Sequence, residues 1–90
     1  MNRPEEILAA FKKGEKSAFQ AFFSEYYEVL VLFASGILKD VDAAEDVVQD
    51  CFVNVWENHH FEKLSDGLDR YMFHLVKNAA LNELRGRQRR

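Results

Sequence analysis

The sequence predicts an all-α fold, a compact bundle of four helices, and three observations carry that expectation. Apolar residues return every three or four positions through long stretches, the spacing that lines one face of a helix. Only four Gly and one Pro interrupt 90 residues that are 48% hydrophobic, enough apolar chain for one core and too little for two. No stretch alternates apolar and polar residues with the period of two that a half-buried strand needs.

The elements follow in order. Pro4 suits a first helical turn, Glu5 and Glu6 complement its dipole, and Ile7, Leu8 and Phe11 share a face before Gly14 ends a short first helix. Ser17 is a natural N-cap for a long, central second helix from about residue 18 to 39, with Phe19, Phe22, Phe23, Tyr26, Leu30, Phe33 and Ile37 as its core face. Gly36 marks either an early end of that helix or a close helix crossing. Asp42 followed by Glu45 reads as a capping box with Asp in the Ser/Thr position, so a third helix spans 42 to about 58. The stretch NHHFEKLSDG at 58–67 has loop composition, and Ser65 or Asp66 caps a fourth helix that runs to about Arg85, ahead of a frayed RGRQRR tail.

The formal charge of −3 conceals an asymmetry. Residues 1–69 hold six Lys/Arg against fourteen Asp/Glu, whereas residues 70–90 hold six cations against Glu83 alone. The two ends therefore suit different partners, and a phosphate backbone responds to the local basic cluster rather than to the average. A single Cys51 forms no internal disulfide, which fits a reducing cytoplasm. The longest uninterrupted apolar run, VLVLFA at 29–34, is far short of the roughly 20 residues of a membrane span, and MNRPEE has no signal-peptide character. No cysteine-pair metal motif, phosphate-cradling Gly motif or nucleophile elbow is present, so neither a metal, a cofactor nor an enzymatic activity is expected.

Two helices carry the functional signal. In DAAEDVVQDCFVNVWE at 42–57, Ala43, Ala44, Val47, Val48, Cys51, Phe52, Val55 and Trp56 form a broad core arc. The remainder sets Asp46, Gln49, Asp50, Asn54 and Glu57 around Val53, an apolar centre in a carboxylate and carboxamide rim that suits a basic partner helix. The same residues also read as a solvated face with one exposed Val. In the fourth helix Leu68, Tyr71, Met72, Leu75, Val76 and Ala79 point inward, while Arg70, His74, Lys77, Asn78, Leu81 and Arg85 gather outside. Cations that hold phosphates beside an Asn that reads a base edge make nucleic acid the leading partner, with a solvated cationic helix end as the other reading.

With both stripes in view, the chain closely resembles the second conserved region of a bacterial sigma factor of the extracytoplasmic-function group. FKKGEKSAF at 11–19 resembles that family's opening helix, turn and second-helix start, the 42–57 segment its core-binding helix, and YMFHLVKNAALNELR at 71–85 its promoter-binding helix. The resemblance implies a non-enzymatic transcription initiation factor domain over residues 1–90 that binds core RNA polymerase and helps open the promoter. It implies that Asp46, Gln49, Asp50, Val53, Asn54 and Glu57 dock on the clamp coiled coil of the largest polymerase subunit. It further implies that the 58–67 loop, with His60, Lys63, Ser65 and Asp66, holds a flipped base of the non-template strand of the −10 element. Arg70, His74, Lys77, Asn78, Asn82 and Arg85 would contact neighbouring phosphates and bases, with Tyr71 supporting that face. A second, C-terminal promoter-binding domain of the family is absent from these 90 residues, and an anti-sigma factor is a further partner that the resemblance admits. The alternative expectation is a helical protein-interaction module without DNA binding.

Overall fold

The computed structural model describes residues 9–10, 12–58 and 67–88, with backbone alone at 58, 87 and 88. Three α-helices are described: α1 (Lys16–Leu38), α2 (Val41–Asn58) and α3 (Leu68–Gln88), each touching the other two. The expectation of four helices is corrected to three among the described residues. The short first helix falls mostly outside them, and of its described residues Ala9, Ala10 and Lys12 are helical. Its end is as expected: Gly14 takes φ 75°, and the Glu15 N–H donates back to the Ala10 carbonyl (3.2 Å), the bond that closes a helix through a left-handed glycine.

Two cap assignments also change. Helix α1 starts at Lys16 behind Glu15, whose φ of −76° and ψ of 120° leave the helical region, so Ser17 lies inside the first turn rather than capping it. Helix α2 starts one residue earlier than Asp42, because Asp40 is the better-placed cap. Its Oδ1 accepts from the Ala43 N–H (3.1 Å) and its carbonyl from the Ala44 N–H (3.0 Å). Gly36 has neither expected role: it lies inside α1, exposed, with nothing beyond its own stretch of helix backbone within 4 Å of where a Cβ would stand. Helix α1 ends instead at Lys39, a non-glycine residue in the left-handed region (φ 58°) whose N–H donates to the Ser35 carbonyl (2.7 Å). Only Lys39 and Asp40 separate α1 from α2.

The core follows four-residue rows. In α1 the buried residues are Ala18, Phe22, Leu30, Ala34 and Leu38; in α2 Ala44, Val48, Cys51, Phe52 and Val55; in α3 Leu68, Met72, Val76 and Ala80. The expected aromatic face of α1 is shifted, since Phe19, Phe23, Tyr26, Phe33 and Ile37 are only partly buried. Phe22 and Leu30 are fully buried as expected, with Ala18, Ala34 and Leu38 beside them, and the other rings flank this row. Phe52 meets Phe23 (5.0 Å between centroids), Phe22 (5.6 Å) and Phe19 (6.1 Å), which clamps α2 onto the first half of α1. Phe33 and Phe73 (5.4 Å) join the second half of α1 to α3. Among the described residues no buried side-chain N or O atom lacks a hydrogen-bond partner.

Helix α1 is long and apolar enough by composition to cross a membrane, a test the longest apolar run alone does not reveal. A core helix passes the same test, and α1 packs Phe22, Leu30, Ala34 and Leu38 against the other two helices.

Candidate functional site

Helix α2 buries one side and so presents the other. Asp46, Gln49, Asp50, Val53, Asn54 and Glu57 are all exposed, as the helical spacing predicts, and Val53 shows 48% of its surface. They do not form one flat stripe. Gln49 turns toward α1, where its Nε2 donates to the Tyr27 hydroxyl (3.1 Å). Asp46 and Asp50 turn toward α3 and line a groove with Asp40, Asp42, Val47 and Glu83. The groove continues over Cys51, Asn54, Leu75 and Ala79, so an acidic rim surrounds an apolar floor. Among the described residues no cluster of His, Cys, Asp or Glu is arranged to hold a metal ion.

Asp40, Asp42, Glu83 and Tyr27 border this surface without having been assigned to it from the sequence. Asp42 continues the four-residue spacing of Asp46 and Asp50 and was legible as such. Glu83 and Tyr27 were not, because nothing in one helix's pattern states which residue of a neighbouring helix its side chains meet. Exposed apolar surface is also wider than Val53: Val29 (45%), Leu32 (72%) and Val41 (57%) lie on α1 and the start of α2.

Cys51 behaves as the buried small hydrophobe its position implies, 5% exposed. Burial, and then the neighbouring Asp50 carboxylate, push its thiol up to about 11.

On α3, Arg70, His74, Lys77, Asn78, Asn82 and Arg85 are exposed, and Tyr71 is half-buried beneath them. Burial, and then the nearby Cys51 sulfur, raise the Tyr71 phenol above its ordinary value, so it stays a neutral hydroxyl. The face is pre-linked along the helix. Asn78 Nδ2 lies 3.2 Å from His74 Nε2, and Arg85 donates to Asn82 Oδ1. Gly67 precedes α3 with φ 74°, and its carbonyl accepts from the Tyr71 N–H (2.9 Å). A Cβ on Gly67 would stand 3.1 Å from the Arg70 guanidinium, so the bare glycine lets that cation lie across the helix start. Gly67 thus takes the cap position expected of Ser65 or Asp66. Those two residues, with His60 and Lys63, lie outside the described residues.

The domain thus offers an acidic face on one helix and a cationic, amide-bearing face on another. The family model for sigma-70 region 2 matches residues 22–90, and the chain belongs to that family. Sigma-70 region 2 is a non-enzymatic transcription factor domain that binds core RNA polymerase and recognises the promoter −10 element, and sigma factors act with polymerase in the cytoplasm. No curated protein and no solved structure matches the chain.

Proposed function

We propose that residues 1–90 form a region 2 domain of the extracytoplasmic-function group, acting in the cytoplasm, in which α2 docks on the clamp coiled coil of the largest polymerase subunit. On the same reading α3 holds the non-template strand of the −10 element as single-stranded DNA. The observation that supports this most is the segregation of charge: exposed Asp46, Asp50 and Glu57 on one helix, exposed Arg70, Lys77 and Arg85 on the next, across one shared core. The carboxylates would make charge-assisted hydrogen bonds to a basic helix, with Gln49 and Asn54 as neutral partners and Val53 excluding water at the centre.

No catalytic group is needed on the DNA side. Capturing an unstacked base lowers the free energy of the open strand relative to the duplex, and the contacts must offset a few kcal/mol of unstacking. Arg70, Lys77 and Arg85 would neutralise phosphates, while His74, Asn78 and Asn82 face the bases and Tyr71 supports them from below. His60, Lys63, Ser65 and Asp66 are assigned to the flipped base by the family resemblance alone. An anti-sigma factor that competes for the acidic groove belongs to the same reading.

The test is a binding titration against the isolated clamp coiled coil. Asp50 is exposed, so Asp50→Lys should leave the helical circular dichroism spectrum and thermal midpoint in place and abolish saturable binding. Wild-type affinity in the folded variant would refute the dock. On the other face, Lys77→Glu should weaken single-stranded DNA binding and flatten its salt dependence, and a loss that ignores salt would argue against phosphate contact.

A further inference from the structure

Tyr27 carries one step more, resting on the reading of α2 as the polymerase dock. Gln49 is exposed, and a long, flexible side chain on a bare helix face samples many rotamers. Here it reaches across to α1, where its Nε2 lies 3.1 Å from the Tyr27 hydroxyl. The link holds whichever way the amide is turned, because a hydroxyl both donates and accepts and so complements either end of it. Its other end is anchored. Tyr27 is half-buried, and its ring lies nearly flat on that of Phe23, with 4.6 Å between centroids and 19° between planes. Phe23 in turn meets Phe52 (5.0 Å), which is 2% exposed. A short column of rings therefore runs from the core to the hydroxyl, and the core sets where Gln49 stands.

We propose that Tyr27 is a positioning residue of the polymerase dock, which fixes the Gln49 side chain before a partner helix arrives and draws it away from Val53. The helical spacing supports this. Val53 follows Gln49 by four residues and Asp50 by three, so both flank it on the outer face of α2. Asp50 turns toward α3 and Gln49 toward α1, which leaves the 48% exposed Val53 open between a carboxylate on one side and an amide on the other. A partner helix can then cover the apolar centre without first displacing a polar side chain. Pre-ordering also lowers the entropic cost of binding, and for one such side chain this is worth about fivefold in affinity.

The experiment titrates four forms of the 90-residue chain against the isolated clamp coiled coil: wild type, Tyr27→Phe, Gln49→Ala and the double variant. Tyr27→Phe keeps the ring on Phe23 and removes only the hydroxyl, so the helical circular dichroism spectrum and thermal midpoint should hold. Its affinity should fall about fivefold, whereas in the Gln49→Ala background the same substitution should change nothing. A role in stability alone would not depend on Gln49 in this way. In the free, isotope-labelled protein, the Gln49 side-chain amide signals should move in Tyr27→Phe to the positions of a freely rotating glutamine. Unchanged affinity in Tyr27→Phe overturns the inference. So does an equal loss in the Gln49→Ala background, which would make Tyr27 a direct contact, and so do Gln49 amide signals that ignore the missing hydroxyl. Failure of the wild type to bind the coiled coil is a different result: it overturns the docking reading of α2 itself, and the inference with it.

Discussion

Removing the ring of Phe52 tests the joint on which the acidic face depends. Phe52 is 2% exposed and meets three other rings at 5.0 to 6.1 Å, all on α1. Phe→Ala at a buried site costs about 3–5 kcal/mol, and a ring packed by other rings on several sides leaves a cavity that side chains cannot easily close. We therefore expect about 4 kcal/mol. A chain of 90 residues has a total stability of about 5–13 kcal/mol, so the variant should lose a third or more of it and still fold in the cold. Urea denaturation followed by far-ultraviolet circular dichroism and by Trp56 fluorescence reads this directly. Trp56 is the single tryptophan, and its ring stands 5.3 Å from that of Phe19 beside the same cluster. The midpoint should fall with the slope unchanged. A loss below about 1.5 kcal/mol at constant slope would show that the cluster does not hold α2 to α1 as described.

Other expectations are smaller and local. Lys39→Gly should raise stability by about 1 kcal/mol, because glycine takes φ 58° without the clash a Cβ brings there, and thermal denaturation should show it; a fall would place Lys39 outside the left-handed region. Asp40→Ala removes the cap on the Ala43 N–H and should cost about 1 kcal/mol in the same assay, whereas Asp42→Ala should cost little. Cys51 has its thiol raised from 9.0 to about 11, so the unfolded chain ionises first as pH rises. Its contribution is intact below pH 9 and is lost as pH climbs toward 11. In Cys51→Ala that alkaline fall should shrink, and in the native protein the thiol should react with iodoacetamide at pH 8 far more slowly than in urea.

The helical class, most of the inward arcs of α2 and α3 and the exposure of the outward polar residues were legible because each is a property of one helix's own periodicity, although fully buried Ala80 was missed and half-buried Leu81 was placed outside. The core of α1 was read less well. Its aromatic residues repeat at helical spacing, but that spacing does not say which is central: Phe22 is fully buried, whereas Phe19, Phe23, Tyr26 and Phe33 are only partly so. The caps differ for a related reason: Ser17 and Asp42 have capping side chains, yet Asp40 caps α2 and Gly67 precedes α3, because composition alone does not choose among neighbouring residues able to start a helix. Likewise the acidic stripe was found as a stripe, and only packing showed it to be one wall of a groove whose other wall includes Glu83.

The turn made by Lys39 and Asp40 bears on the order of assembly. With only two residues between α1 and α2, the contacts beside that turn close over short stretches of chain, and the pairing of Phe52 with rings early in α1 follows as the hairpin zips up. Short loops cost little entropy, so the hairpin is the natural nucleus, and α3 joins it only after a longer segment has been drawn in. On a ribosome the acidic face of α2 would accordingly take shape before the cationic face of α3, and a chain interrupted in synthesis would acquire the first without the second.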